Sequence, residues 1–316
     1  MKLSEFKLTA ADFGIFGRGL QRPECVWVGE DGVWASDLRG GVSRVAAGAE
    51  SELLGSGIAE PNGFSRRPDG SFVVAGIGDG GVYIIAPSGE TRRLLDSFDG
   101  KPLGTVNYPC ADGPDRIWLS VMTRKPHWHD ALTTEVRDGY ILRIEDGGGR
   151  CEIVADGLDL TNEVKVSPDG RFLFAAETMG MRMVRFPIRS DGSLGEKETV
   201  GPECLGRGAL PDGFAFDGFG NIWVTVISEN ALYVIDRRGD VHVVYRDRVE
   251  RAVEAMADGV ERRNGTVDNL VACAEVSGPL RLPTSLAFGG ADGRTVYVGT
   301  LALPHLATFR LPAELT

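Results

Sequence analysis

A short unit recurs six times along this chain, and nothing else in the sequence restricts the fold as much. Each copy has a turn carrying an acid, amide or hydroxyl, a short apolar strand, a hairpin turn of the Asp-Gly type, and a second apolar strand. The clearest copy spans residues 208–226. There Pro211-Asp212-Gly213 leads into an apolar strand at 214–216, a glycine-rich turn at 217–221, and a second strand at 222–226. The other copies open on Pro23-Glu24-Cys25, Pro61-Asn62-Gly63, Asn107-Tyr108-Pro109, Thr161-Asn162-Glu163 and Pro283-Thr284-Ser285. Their hairpins are Asp31-Gly32, Asp69-Gly70, Asp112-Gly113, Asp169-Gly170 and Asp292-Gly293.

Further apolar strands follow most hairpins, at 81–86, 139–144, 183–186 and 231–236. Up to four strands and roughly 40 to 50 residues per unit describe a propeller blade. The sequence therefore predicts an all-β chain: a six-bladed β-propeller with four-stranded blades around a central metal-binding channel. A β-sandwich with a second domain is the main rival, but it leaves the matched turns unexplained. Residues 1–316 read as one domain, since no Pro/Ser-rich linker divides them. Two insertions interrupt the spacing. Residues 123–138 are polar and aromatic, with a lid-like character, and residues 247–265 are irregular or helical. The last strand, 306–311, is expected to pair within the final blade, with residues 13–16 completing that blade and closing the ring.

Composition excludes several classes of function. A formal charge of -11 argues against nucleic acid and anionic membrane surfaces, which are polyanions. No apolar run approaches the roughly 20 residues that span a bilayer, and the N-terminal stretch has no apolar core of the signal-peptide type. Five scattered cysteines without a C-x-x-C pair suggest reduced thiols in a cytoplasmic protein. The expected partner is a small-molecule substrate, with the chain a monomer or small homo-oligomer.

In a propeller the innermost strand of each blade lines the axial channel, and the loop entering it sits at the channel mouth. The residues in that slot are Glu24, Asn62, Asn107, Asn162, Asp212 and Thr284. Each carries a side-chain oxygen and two are acids, so together they would form a net-negative cup. Ca²⁺, Mg²⁺ and Mn²⁺ favour such oxygen ligands, and Zn²⁺ also accepts carboxylates. Taken singly, every one of these residues is explained by turn chemistry, because Asn and Asp side chains hydrogen-bond their own backbone. Their recurrence in one slot shifts the balance toward function only modestly.

Other motifs are weaker. His127 and His129 flank Trp128, but no Cys or third His lies nearby, which favours a substrate-contacting or solvated loop. His242 sits in an apolar strand and reads as structural. There is no G-x-S-x-G elbow, P-loop or H-E-x-x-H helix. The glycine-rich run at 76–81 leads into a strand, whereas a phosphate-cradling loop opens a helix.

Over residues 13–311 the chain resembles the SMP-30/gluconolactonase/luciferin-regenerating family of six-bladed propellers. The resemblance is strongest at 210–217 with 220–224, at Asn162 with Ser167-Pro168-Asp169-Gly170, and at 282–290. It implies one divalent metal on the axis held by Glu24, Asn162 and Asp212, with Ca²⁺ the leading candidate and Zn²⁺, Mg²⁺ or Mn²⁺ as alternatives. It further implies that Asn107 contacts substrate or a water on the metal, that Asn62 lies in a polar slot at the channel mouth, and that the substrate is a lactone or related cyclic ester. Three positions depart from the family pattern. Glu163 stands where the family has Gly, while Thr105 and Tyr108 replace an Arg and an Asp that help bind sugar-like substrates. These changes point to a less hydroxylated or more aromatic substrate, contacted by Tyr108, Trp128 and His127.

The leading expectation is a metal-dependent lactonase in which a metal-activated water attacks a metal-polarised carbonyl. Asp212 would act as ligand and general base, with Glu163 a further acid/base candidate, and Asn107 would orient the carbonyl or developing oxyanion. Two alternatives stand beside it. One is a metal-dependent isomerase or lyase using the same site, motivated by Glu163. The other is a non-catalytic metal-binding propeller.

Overall fold

The computed structural model describes residues 2–132, 136–262, 264–313 and 315. Residues 133–135 of the first insertion and residue 263 of the second lie outside the described residues. Six four-stranded antiparallel sheets follow one another along the chain. Their first strands are Val26–Gly29, Pro61–Arg66, Thr105–Asp112, Thr161–Val166, Pro211–Phe216 and Pro283–Gly289. Each first strand packs against the first strands of both flanking sheets, so the six close a ring. This is the six-bladed β-propeller anticipated from the repeats. The sixth blade is completed by the N-terminal strand Gly14–Phe16, which pairs with Leu306–Arg310 in the register Gly14 to Thr308 and Phe16 to Leu306. That pairing ties the two ends of the chain together and leaves no open seam between first and last blades.

The turns form for the reasons their residues dictate. In the second blade Asp69 Oδ1 accepts from the Ser71 amide at 2.9 Å, and Gly70 takes φ +82°, which a side chain would resist. In the fifth blade Asp217 Oδ1 accepts from the Phe219 and Asn221 amides. Its Oδ2 takes the Asn221 amide group and the Trp223 indole N–H at 3.1 Å. The core lies between neighbouring blades. Phe174 and Ala176 of blade four pack with Phe214 and Ile222 of blade five, and Trp223 of blade five packs with Leu286 and Val296 of blade six. Fully burying side chains of this size contributes about 1.5–3 kcal/mol each.

The second insertion is more ordered than its composition suggested. It forms helix α1, Glu250–Glu261, followed by helix α2, Val267–Ala272, which the sequence reading missed. Ala252, Val253, Met256 and Ala257 form the buried face of α1. Thr266 caps α2 by accepting from the Asn269 amide. Both helices cover the end of the ring where the inner strands begin.

Candidate metal centre

A local device repeats at the start of the inner strands. Their register with the second strand slips between Pro61 and Phe64, between Val106 and Tyr108, between Thr161 and Val164, between Pro211 and Phe214, and between Pro283 and Ser285. Such bulges turn a side chain out of the sheet's regular alternation, and they fall at Asn62, Asn107, Asn162, Asp212 and Thr284. Two residues before the polar one, Arg22, Glu60, Leu160 and Leu282 all hold positive φ, between 49° and 56°. Each costs on the order of 1 kcal/mol, a strain the surrounding sheet maintains. Hydroxyls on the second strand take up amides at the entries to the inner strands. Cys25 N donates to Ser36 Oγ, Tyr108 N to Ser120 Oγ and Gly213 N to Thr225 Oγ1, at 2.9 to 3.0 Å.

The result is a cavity of about 50 Å³ at the channel mouth, room for a few water molecules. Glu24, Asn62, Asn107, Asn162, Asp212 and Thr284 all line it, so the structure brings the predicted cup together. Four buried oxygens there have no hydrogen-bond partner among the described residues: Glu24 Oε2, Asn107 Oδ1, Asn162 Oδ1 and Asp212 Oδ1. Leaving one buried acceptor unpaired costs about 1–3 kcal/mol. Four together at one mouth form a donor set that would suit a hard, oxygen-seeking cation. Among the described residues, no three His, Cys, Asp or Glu side chains are grouped to hold a metal. An ion here would therefore depend on amide oxygens as much as on the two acids.

The remaining contacts fix these oxygens in place. Asn62 Nδ2 donates to Glu24 Oε1 at 3.0 Å, and Arg22 donates to Asn62 Oδ1 at 3.0 Å. Asn162 Nδ2 donates to Thr178 Oγ1, which donates in turn to the Pro211 carbonyl. Thr284 Oγ1 donates to the Glu24 carbonyl at 2.6 Å. Burial pushes the Glu24 carboxyl up to about 8, with Arg22 opposing and Glu163 reinforcing the rise. Burial also holds Asp212 well above the carboxylate range, with the charges of Glu24 and Glu163 adding to it. Both shifts favour the neutral carboxyl, and a positive charge set beside the pair would oppose them.

Three predicted residues fall elsewhere. Glu163 does not line the cavity. Its Oε2 pairs with Lys165 Nζ at 2.7 Å and accepts from the Phe214 amide at 3.0 Å. Gly213 makes room for it: a Cβ there would lie 2.7 Å from Glu163 Cδ and collide with the Thr284 carbonyl. Tyr108, 5% exposed, also lies outside the cavity. The bulge at Asn107 turns the following side chain into the core, where Lys165 sits 5.4 Å from the Tyr108 ring centroid. His127 faces a separate groove beside Phe98, Arg124 and Tyr140, its ring stacked on His129 at 5.2 Å. Trp128, by contrast, does line the cavity.

Sequence reading missed Arg22 and the apolar wall. Arg22 lines the cavity, and its only sequence signal is its place two residues before Glu24. The wall includes Met122, Met179, Met256 and Leu270, drawn from a strand, a turn and two helices far apart in the chain. Helix α1 is held over the cavity by Arg207, which pairs with Glu254 at 2.6 Å and Glu261 at 2.7 Å and also contacts Asp258.

A closed six-bladed ring whose inner strands deliver acids and amides to one axial mouth defines a class of propellers with a polar site on the axis. The chain belongs to the SMP-30/gluconolactonase/LRE-like family, whose model matches residues 23–263. A 6-deoxy-6-sulfogluconolactonase of Pseudomonas putida is 27% identical over 282 residues, covering 87% of this chain and 81% of that protein. A gluconolactonase of Xanthomonas campestris superposes with a TM-score of 0.67 at 20% identity, over 93% of this chain and 88% of its own. The calcium-binding protein regucalcin of Agrobacterium tumefaciens gives 0.58 at 15% identity, over 98% and 94%. At these identities the two solved structures bear on the fold alone.

Proposed function

We propose that this chain is a metal-dependent lactonase, hydrolysing a lactone or related cyclic ester at the mouth of its axial channel. The observation that carries the reading is the set of four unpartnered oxygens from Glu24, Asn107, Asn162 and Asp212, in a chain of the SMP-30/gluconolactonase/LRE-like family that is similar to a 6-deoxy-6-sulfogluconolactonase. Glu24, Asn162 and Asp212 are the residues that would hold the ion, and calcium suits an all-oxygen set best. When bound, a divalent cation supplies polarisation of the ester carbonyl and a lowered pKa for water. Asp212 lines the cavity with one oxygen unpartnered and would take the proton of an attacking water. Asn107 Nδ2, whose one bond is a 3.3 Å contact to Met122 Sδ, is free to exchange that weak partner for the substrate's carbonyl oxygen. Arg22 offsets the negative charge of the cup.

The isomerase or lyase alternative has less support, since Glu163 does not line the cavity and its Oε2 is engaged with Lys165 and the Phe214 amide, although its buried Oε1 has no partner among the described residues. A small-molecule substrate and a monomer or small homo-oligomer remain the expected partnership. The five unpaired cysteines support a reducing, cytoplasmic setting. Elemental analysis of the purified protein, then lactone hydrolysis followed with a pH indicator, tests the proposal. Activity should vanish with a chelator and return with Ca²⁺. Hydrolysis that survives both the chelator and Asp212→Asn would refute it; metal binding without turnover of any lactone would favour a binding protein.

A further inference from the structure

We infer that the substrate is an apolar lactone, a ring bearing an alkyl chain or fused aryl group and few or no hydroxyls. This inference rests on the lactonase reading and specifies its substrate. Above the oxygen floor, the cavity wall is hydrocarbon and thioether. Leu160, Leu210 and Ile227 come from the blade loops, while Trp128, Leu132 and Met256 close it from above. Thioether side chains adapt their shape to apolar groups and offer hydroxyls almost nothing.

The other polar side chains on the wall are already committed. Thr284 Oγ1 donates to the Glu24 carbonyl and Thr178 Oγ1 to the Pro211 carbonyl. Asn62 has its oxygen on Arg22 and its amide on Glu24. Arg22 uses one N–H on Asn62 and a long 3.4 Å contact on the Pro61 carbonyl, so its guanidinium keeps donors in reserve. With Asn107 Nδ2, held only by Met122 Sδ at 3.3 Å, that makes two spare donor groups on the polar floor among the described residues, enough for a carbonyl and a ring oxygen. They are too few for a polyhydroxylated ring. Each hydroxyl buried here without a partner would lower affinity roughly ten-fold.

The cavity, about 50 Å³, is smaller than the roughly 150 Å³ that accommodates benzene. A bound lactone therefore extends beyond it against the surrounding wall, where apolar substrate surface is what Trp128, Leu132 and Met256 would bury.

The test measures kcat/KM of the calcium-loaded protein on δ-decanolactone, dihydrocoumarin and glucono-δ-lactone. The apolar lactones are expected to exceed glucono-δ-lactone at least a hundred-fold. Glucono-δ-lactone turned over as well as or better than both would overturn the inference and leave the lactonase reading standing. Failure of all three with calcium bound would instead remove the lactonase reading, and this inference with it. A second measurement uses Leu132→Asn and Met256→Gln, read as the ratio of the two substrate classes, which partial misfolding does not alter. The ratio should move toward the sugar lactone at least ten-fold, and an unchanged ratio would refute the role given to the wall.

Discussion

Replacing Glu24 by Gln should stabilise the metal-free protein at alkaline pH while abolishing its response to metal. In the folded chain the Glu24 carboxyl titrates near 8, against an ordinary value of 4.5. A carboxyl raised in this way favours folding fully below pH 4.5, and that contribution is lost as the pH climbs through 8. At about 1.36 kcal/mol per pH unit, the interval corresponds to roughly 5 kcal/mol. This is an upper bound, because Asp212 shares the cup and titrates together with Glu24. Gln preserves the oxygen that accepts from Asn62 Nδ2 and places an amide where Glu24 Oε2 has no partner. Urea unfolding in EDTA, followed by tryptophan fluorescence between pH 4.5 and 9, should show wild-type stability falling across that range and the variant's curve flatter. At pH 8.5 the variant should be the more stable by roughly 2–5 kcal/mol, within that bound. Adding Ca²⁺ should restore the wild type and leave the variant unmoved. A Glu24→Gln protein less stable than wild type at pH 8.5 in EDTA would refute the argument that the cup stores uncompensated negative charge.

Asp212→Asn should leave the fold intact but reduce lactone kcat/KM at least about a hundred-fold and weaken Ca²⁺ binding measured by calorimetry, since it removes one of two charged ligands and the base. Gly213→Ala should cost about 1–3 kcal/mol in urea unfolding, because its Cβ has no room beside the Thr284 carbonyl and Glu163. Arg207→Ala breaks exposed ion pairs, each worth no more than about 1 kcal/mol. Global stability should therefore shift little, while hydrogen exchange of α1 amides accelerates as the roof loosens.

Repetition made most of the architecture legible before any coordinates. Asp69-Gly70 and its counterparts bend the chain through local chemistry, a side chain bonding its own backbone and a glycine at positive φ. The spacing of such turns fixed the number of blades. Glu24, Asn162 and Asp212 could be set in one slot because each follows the same local signal, although only the family resemblance singled them out as candidate ligands.

What the sequence by itself determined is what its local physics encodes: strand, turn, blade count, and the polar residue entering each inner strand. Tertiary structure decided the rest, because those outcomes depend on partners distant in the chain. Glu163 looked like a possible acid in the cup, but it does not line the cavity, and Lys165 and the Phe214 amide take its Oε2. Tyr108 looked like a substrate contact until a bulge turned its ring into the core. The apolar roof was the least legible part of the site. Met122, Met179 and Met256 share no sequence period, and only the closing of the ring and the docking of α1 bring them over one cavity.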